Sequence, residues 1–251
     1  MRLTLLGTGA ARRTPVYGCD CPVCEAAREN PALRRQPCCA LIEEENGRWL
    51  MDAGLTELGA RFPQGFLSGI LQTHYHADHA QGLLDFRWGI GRLPVYGPPD
   101  PEGLDDLYKH PGMLEFAPPP RPFLPFSLKG LRVTPLPLRH SRPTFGYFFE
   151  SSVLPRRLAY LTDTAGLPDQ TLDFLRENPP DALALDCSYP PDEIAPRNHN
   201  TLDMALSIIE ELAPQEAVLT HIGHELDVWR QKARPLLPAN TRWGEEGMIL
   251  E

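Results

Sequence analysis

Short apolar runs alternate with proline- and glycine-rich segments along the 251 residues, and this pattern predicts many short strands. The clearest pair is formed by residues 39–45 and 48–52, because the Asn-Gly dipeptide between them strongly favours a tight hairpin turn. The most regular helix is predicted at Leu202–Leu212, where apolar residues recur at helical spacing. Either Asn200 or Thr201 can cap its N-terminus.

Further elements follow from the remaining apolar runs. Strands are predicted at residues 2–6, 66–73, 94–98, 131–134, 136–138, 157–162, 182–185 and 217–220. Shorter helical stretches are predicted at residues 25–28 and 80–86. Residues 100–127 are interrupted by proline and predict only one or two helical turns, at residues 104–108.

The segment 71–82 joins a predicted strand to a predicted helix and carries three histidines and an aspartate. In an extended chain His74 and His76 project to the same side, because side chains repeat every two residues. Asp78 and His79 then point elsewhere as the chain turns into the helix. This arrangement suits two adjacent metal ions, one held by each pair of side chains.

Three more candidate ligands lie just after predicted strands: His140, Asp163 and His221. A two-metal site needs a third nitrogen for each ion and a carboxylate between the two ions, and these residues supply those types. Strands that end on one rim of a sheet bring their side chains to one pocket.

With these residues in place, the chain resembles hydrolases of the metallo-β-lactamase superfamily. The resemblance implies an α+β fold, a four-layer αβ/βα sandwich of two mainly antiparallel sheets with helices outside, spanning residues 1–251 as a single domain. It also implies the ligand sets: His74, His76 and His140 for one ion; Asp78, His79 and His221 for the other; Asp163 bridging both.

A second group of candidate ligands is the cysteine cluster Cys19, Cys21 and Cys24. A reducing cytosol disfavours disulfides, whereas thiolates at this spacing suit a structural zinc ion, which takes four ligands. The fourth ligand must therefore come from elsewhere in the chain. The other three cysteines match no ligand pattern and are expected to be buried as small apolar residues: Cys38, Cys39 and Cys187.

The cysteine cluster together with residues 221–224 resembles, more narrowly, the PhnP-like phosphodiesterases of the carbon–phosphorus lyase pathway of phosphonate metabolism. This resemblance implies that His224 completes a Cys₃His zinc site. It further implies that His199, within the stretch that begins at Arg197, meets the substrate and acts in catalysis. His110 matches no motif and is expected at the surface.

The resemblance implies a metal-dependent phosphoric diester hydrolase with two divalent ions, Zn²⁺ or Mn²⁺, in addition to the structural Zn²⁺. The two ions would lower the pKa of a bridging water, so that hydroxide is available at neutral pH. Asp78 would be both a ligand and an acceptor of the nucleophile's proton, and His199 would protonate the leaving oxygen. The implied substrate is a small cyclic phosphodiester such as 5-phosphoribosyl 1,2-cyclic phosphate, and the implied assembly is a homodimer.

Charge and composition limit the classes of partner that the protein is expected to bind. The formal net charge of −9 argues against a broad electropositive face for extended nucleic acid. No run approaches the roughly 18 apolar residues that a membrane span needs, and the N-terminus carries no apolar secretory segment. We therefore expect a cytoplasmic protein that acts on a small anionic substrate.

Three alternatives remain open at this point. Transfer-RNA 3′-processing uses the same fold, but no basic, glycine-rich arm for gripping RNA is present. A thioester or lactone hydrolase would use the same metals, although the cysteine cluster and His199 weigh against it. A non-hydrolytic accessory protein resembling the pyrroloquinoline quinone biosynthesis protein shares the cysteine cluster, but its metal-binding motif is degenerate, whereas here the motif is intact.

Overall fold

The structure, a computed structural model, describes residues 1–153, 155–191 and 198–251. Its strands are β1 (Arg2–Gly7), β2 (Cys39–Glu44), β3 (Gly47–Met51), β4 (Gly69–Leu71), β5 (Leu93–Tyr96), β6 (Leu114–Phe116), β7 (Phe126–Leu128), β8 (Leu131–Pro137), β9 (Phe145–Ser151), β10 (Arg157–Leu161), β11 (Ala182–Asp186), β12 (Glu216–Thr220), β13 (Thr241–Trp243) and β14 (Ile249–Leu250). Its helices are α1 (Pro22–Glu29), α2 (Leu58–Arg61), α3 (Ala77–Ala80), α4 (Leu83–Arg87), α5 (Asp105–Lys109), α6 (Asp169–Glu177), α7 (Leu202–Leu212) and α8 (His224–Ala233).

The strands form two sheets of seven, in the orders β14-β1-β2-β3-β4-β5-β6 and β13-β12-β11-β10-β9-β8-β7. In the first sheet the pairs from β14 to β3 are antiparallel and those from β3 to β6 are parallel. In the second sheet the pairs from β13 to β10 are parallel and those from β10 to β7 are antiparallel. The sheets are thus evenly mixed, which corrects the expectation of mainly antiparallel sheets. Parallel neighbours require crossover connections, and helical segments such as α6 and α7 supply them.

Three apolar clusters place the layers. One lies between the sheets and takes alternate residues of β9, Phe145, Tyr147 and Phe149, together with Leu3 and Leu5 of β1. A second cluster packs the outer face of the second sheet against α7. A third packs the outer face of the first sheet against α4. This order of layers confirms the predicted helix–sheet–sheet–helix sandwich.

Residues 131–138 were predicted as two strands, and the structure shows one strand that contains Pro135. The carbonyl oxygen of Pro135 accepts a hydrogen bond from the amide of Phe123, on the side of β8 that β7 occupies further along. The N and O atoms of one residue point to the same side of a strand, so the N–H that proline lacks would face this side, beyond the end of β7. A proline at that position therefore removes no bond from the sheet.

Other boundaries differ modestly from the sequence-based expectation. The strand predicted at residues 66–73 is confined to Gly69–Leu71, and the helix predicted at 80–86 is divided between α3 and α4. The predicted hairpin and Leu202–Leu212 are confirmed, and the Thr201 side chain accepts the capping hydrogen bond from the amide of Met204. Within the described residues, no helix is long and apolar enough to cross a membrane.

Candidate metal centre

The candidate ligands meet because several strands end at one edge of the sandwich. Strands β8, β10, β11 and β12 run in the same direction in the second sheet, so the residues that follow them lie on the same edge. This places His140, Asp163 and His221 together. In the first sheet, the parallel strands β3 and β4 likewise end just before Asp52 and three residues before His74.

The first ligand cluster contains His74, His76 and His140. The Nε2 atom of His74 lies 2.9 Å from Nδ1 of His76, and Nε2 of His140 lies 3.0 Å from the same atom. Burial lowers the pKa of each of these histidines, which favours the neutral form that binds metals. The Nδ1–H of His140 donates to the carbonyl oxygen of Asn198 over 3.1 Å, which turns its Nε2 lone pair toward the cluster.

The second ligand cluster contains Asp78, His79 and His221. The Oδ2 atom of Asp78 lies 3.6 Å from Nε2 of His79 and 3.7 Å from Nε2 of His221. These three ligand atoms lie within 4.8 Å of one another. The cluster can therefore hold a cation with two nitrogens and one carboxylate oxygen.

Asp163 lies between the two clusters. Its Oδ1 is 3.1 Å from Nε2 of His79, and its Oδ2 is 3.5 Å from Nε2 of His221. The same Oδ2 is 3.7 Å from Nε2 of both His74 and His140. One buried carboxylate thus contacts histidines of both clusters, as a bridging ligand would.

Asp52, which the sequence analysis did not single out, orients His79. The Nδ1–H of His79 donates to Oδ2 of Asp52 over 2.8 Å, and the backbone amide and hydroxyl of Thr73 donate to the same carboxylate over 2.7 to 2.9 Å. Burial opposes protonation of His79, but Asp163 and Asp52 together raise its pKa well above the usual range. The arrangement fixes the tautomer of His79 with Nε2 toward Asp163.

Asp186 and Ser188 form a second supporting group that the sequence analysis missed. The Nδ1–H of His199 donates to Oδ2 of Asp186 over 2.8 Å, while the Ser188 hydroxyl donates to Oδ1 over 3.1 Å. The same hydroxyl oxygen lies 2.9 Å from Nδ1 of His221. Burial would lower the pKa of His199, but the Asp186 carboxylate and its hydrogen bond raise that pKa to about 9. Asp186 directly follows the apolar run at residues 182–185, and this position is the same local signal that marked Asp163 as a candidate.

The backbone at this edge is strained at three residues that bear functional side chains. Asp52, Asp163 and His221 have φ values of 59°, 59° and 54°, in the left-handed region that non-glycine residues rarely adopt. Such strain is retained where the surrounding structure enforces it, often at functional sites. Packing at this edge is also close, since a Cβ atom on Gly54 would lie 2.0 Å from the carbonyl oxygen of Asp78.

The chemistry of these residues fits divalent cations. Among the described residues, the buried atoms without a hydrogen bond of good geometry include His221 Nε2 and the His79 Nε2 and Asp163 Oδ1 atoms, which lie 3.1 Å apart; all three face the cluster. Leaving such atoms unsatisfied costs about 1–3 kcal/mol each. Neutral imidazole nitrogens only 2.9–3.0 Å apart also direct lone pairs at one another unless a proton or a cation lies between them. A set of imidazole and carboxylate donors suits Zn²⁺, Mn²⁺ or Fe²⁺.

The cysteine cluster forms a separate group beside the cleft. The Sγ atoms of Cys19 and Cys21 lie 3.6 Å and 3.3 Å from Nε2 of His224, and the four ligand atoms, with Cys24 Sγ, lie within 4.8 Å of one another. Burial would raise the pKa of Cys21, but hydrogen bonds from Cys24 and His224 lower it to about 6, whereas burial raises the pKa of Cys24 to about 11. The structure brings together the four residues predicted to hold a structural zinc ion.

The other described residues that the sequence analysis named lie outside the ligand clusters. Cys38, Cys39 and Cys187 are buried free thiols, as predicted. His110 is exposed, as predicted. Arg197, the first residue of the stretch around His199 that resembles the PhnP-like family, lies outside the described residues.

Both ligand clusters open into one cleft of about 650 Å³. Its described lining residues are Ala10, Ala11, Arg12, His76, Ala77, Asp78, His140, Asp163, Ser188, Tyr189, Asn198, His199, His221, Gly223, His224 and Glu225. The cleft thus exposes candidate ligands from both clusters and His199 to a single substrate.

Comparison with known proteins gives the fold and the family. Residues 48–222 match the model of the beta-lactamase superfamily domain. A diphosphatase from the PhnP family has a crystal structure with a TM-score of 0.81 and 31% sequence identity, covering 100% of this chain and 97% of that chain. Zn²⁺-bound PqqB from Methylobacterium extorquens shares the fold, with a TM-score of 0.78 and 17% identity over 100% of both chains.

A curated relative, an octanoyltransferase of Porphyromonas gingivalis (strain ATCC BAA-308 / W83), is 26% identical over 269 residues. The match covers 99% of this chain but only 51% of the relative, so the chain spans about half of that protein's length. The family model and the 31% identical diphosphatase structure are the matches that decide the family. By these two matches, the chain belongs to the beta-lactamase superfamily and, within it, to the PhnP family.

Proposed function

We propose that the protein is a dinuclear-metal phosphodiesterase that hydrolyses a small phosphodiester. The observation that carries this proposal is the position of Asp163, which contacts histidines of both ligand clusters. Two ligand sets that share one carboxylate suit a pair of divalent ions, and paired ions suit hydrolysis of phosphate esters. The membership in a family that includes a diphosphatase supports phosphorus chemistry over acyl transfer.

The ligands divide between the two ions by distance. His74, His76 and His140 would hold one ion. The Nε2 atoms of His74 and His140 lie 2.9 Å and 3.0 Å from Nδ1 of His76. Asp78, His79 and His221 would hold the other, and Asp163 would serve both. When bound, divalent ions activate water near neutral pH and neutralise the non-bridging oxygens of the phosphate.

His199 would act as the general acid. It lines the same cleft as the ligands, and its ring stacks on that of His221 with centroids 4.6 Å apart. Its Nδ1–H is held by Asp186, so a second proton on Nε2 is available to the cleft. Because its pKa is raised to about 9, His199 holds both protons at neutral pH and can give one to a departing alkoxide.

Asp78 would take the opposite role on the side of the attacking water. Burial opposes ionisation of Asp78, but hydrogen bonding and charge from His221 and His79 hold its pKa well below the usual range. The carboxylate is therefore ionised at neutral pH and can accept the proton that the nucleophile loses.

The size and charge of the protein favour a compact substrate. A cleft of about 650 Å³ accommodates a ligand of the size of a sugar phosphate, within the usual range for small-molecule sites. The net charge of −9 weighs against long nucleic acids. We propose a cyclic phosphodiester such as 5-phosphoribosyl 1,2-cyclic phosphate as the substrate, with a diphosphate ester as the second candidate because the PhnP-family relative is a diphosphatase.

The cysteine cluster would hold a structural Zn²⁺ through Cys19, Cys21, Cys24 and His224. Four soft or nitrogen donors are the complete set that such a site requires. This module would fasten the N-terminal loop and α1 to the start of α8, because His224 is the first residue of α8.

The test combines metal analysis with a substrate panel. The purified protein, loaded with Zn²⁺ or Mn²⁺, is assayed on 5-phosphoribosyl 1,2-cyclic phosphate, a linear diester, a diphosphate ester, a thioester and a lactone. We expect the cyclic phosphate to give the highest kcat/KM. Preference for the diphosphate ester would select the second candidate, and preference for the thioester or lactone would refute phosphodiesterase activity.

A further inference from the structure

The charge of the cleft is unevenly distributed among its described lining residues. Asp78, Asp163 and Glu225 contribute carboxylates, whereas Arg12 is the one arginine or lysine. Bound divalent ions would offset the carboxylates around the ligand clusters, but they would not serve an anionic group that lies elsewhere in the cleft. Such a group would need its own cation, and Arg12 is positioned to supply it.

The loop that carries Arg12 is fixed relative to the metal ligands. Gly9 bridges both Pro37 and Ile222, and Ile222 directly follows the ligand His221. The amide of Ala10 donates to the carbonyl oxygen of Ile222 over 3.1 Å, and the amide of Ile222 donates to the carbonyl oxygen of Thr8 over 2.8 Å. The backbone of this loop is thereby held at the wall of the cleft two residues before Arg12.

The guanidinium of Arg12 forms an exposed ion pair, which an anionic ligand can replace. Its Nη1 forms an ion pair with Oε1 of Glu225, and the two side chains are 69% and 45% exposed. Ion pairs this exposed contribute only about 0–1 kcal/mol, because water screens them. An incoming dianion can therefore take the guanidinium from Glu225 at little cost, and two parallel N–H groups can bind two of its oxygens.

We propose that Arg12 forms a second anion-binding subsite, which recognises a phosphate monoester group of the substrate distant from the phosphodiester that is cleaved. This assignment rests on the proposed phosphodiesterase function and adds to it a residue that selects substrates carrying a second phosphate group. Glu225 holds the guanidinium at the wall of the cleft when the subsite is empty. Lysine at this position would keep the charge but lose the two-pronged contact.

The test compares two substrates that differ only in the distal group: 5-phosphoribosyl 1,2-cyclic phosphate and ribosyl 1,2-cyclic phosphate. The measured quantity is the ratio of their kcat/KM values. Loss of a charge-assisted contact to a phosphate should reduce this ratio by about 10- to 100-fold in Arg12→Gln, mainly through KM. Arg12→Lys should fall between wild type and Arg12→Gln.

Arg13→Gln is the matched control, because Arg13 is the next residue, is also exposed, and does not line the cleft. It removes the same charge from the protein and should leave the ratio at the wild-type value. An unchanged ratio in Arg12→Gln, or an equal fall in both variants, would overturn the subsite.

A binding measurement separates this proposal from the proposed function. Should the wild type hydrolyse neither cyclic phosphate, the phosphodiesterase assignment fails, and calorimetric titration of the metal-loaded protein with ribose 5-phosphate then decides the subsite. We expect affinity at least tenfold lower in Arg12→Gln than in Arg13→Gln. Equal affinities in the two variants, or no binding by the wild type, would contradict the role of Arg12.

Discussion

Asp186 accepts a hydrogen bond from the Nδ1–H of His199 over 2.8 Å, at the end of a strand that runs parallel to those preceding Asp163 and His221. This hydrogen bond occupies Nδ1 of His199, so Nε2 is left to contact a substrate in the cleft. Through Ser188, the same carboxylate also reaches His221, because the hydroxyl contacts Oδ1 of Asp186 and Nδ1 of His221. The proposed acid and a proposed metal ligand thus share one supporting group.

If His199 protonates the leaving oxygen, its contribution to kcat depends on how basic that oxygen is when it departs. The leaving group of a ribose cyclic phosphate is an alkoxide, so His199→Ala should lower kcat for this substrate by roughly 10²–10⁴-fold. The leaving group of bis-nitrophenyl phosphate is a nitrophenolate, which departs without a proton, so kcat for this substrate should change little. Metal content is measured in both proteins; equal losses on the two substrates would indicate phosphate positioning, and loss of metal would indicate a ligand.

The raised pKa of His199 predicts the alkaline side of the pH profile. A group whose pKa is raised in the folded protein stays protonated up to that pKa, so the acid function should persist at neutral pH and decline as pH rises through about 9. Asp186→Asn removes the carboxylate that raises this pKa, so the decline should move to lower pH. The check is kcat against pH on the alkoxide substrate, and an unmoved alkaline limb would exclude Asp186 as the cause.

The cysteine cluster should contribute stability rather than chemistry. Cys21→Ser should lose about one Zn²⁺ per chain and several degrees of melting temperature, because the binding free energy of a structural metal adds to folding. The folded fraction should keep its activity at low temperature. Cys187→Ala is the control, since Cys187 is a buried free thiol outside the cluster and its removal should leave the zinc content intact. Unchanged zinc in Cys21→Ser would refute the site.

Asp52 should matter for metal affinity although it is not a candidate ligand. Asp52→Asn weakens the contact that orients His79, and loss of such an outer partner typically costs 10- to 100-fold in metal affinity or activity. Chelator competition measures the affinity. Asp173→Asn, which removes a carboxylate from an exposed pair with Arg176, is the control and should bind metal as the wild type does.

The ligand residues could be predicted because their positions follow from local pattern. His74 and His76 share a side of an extended segment, and His140, Asp163 and His221 each follow an apolar run that predicts a strand. Asp186 also follows a predicted strand, at residues 182–185, but its supporting role, like that of Asp52, could not be predicted in this way. Asp52 and Asp186 act by contacting a histidine that is distant in sequence, 27 and 13 residues away, and nothing local marks that contact.

Some elements were missed for reasons that the fold explains. Strand β9 is buried over Phe145–Phe149, so its sequence does not alternate between apolar and polar residues, and it gave no clear strand pattern. Helix α8 carries few apolar residues, with Leu226 its one buried apolar side chain, so helical periodicity was weak. The parallel strand pairs depend on which strands become neighbours, which local pattern does not specify.

The most direct test of the dinuclear site is the Asp163→Ala variant, because Asp163 contacts histidines of both ligand clusters. Metal content per chain and hydrolysis of the cyclic phosphodiester are measured on the same preparation, beside the wild type. The account predicts that the active-site metal content and hydrolysis fall together, while the zinc of the cysteine cluster is retained. A variant that keeps both active-site ions and near-normal turnover would contradict it.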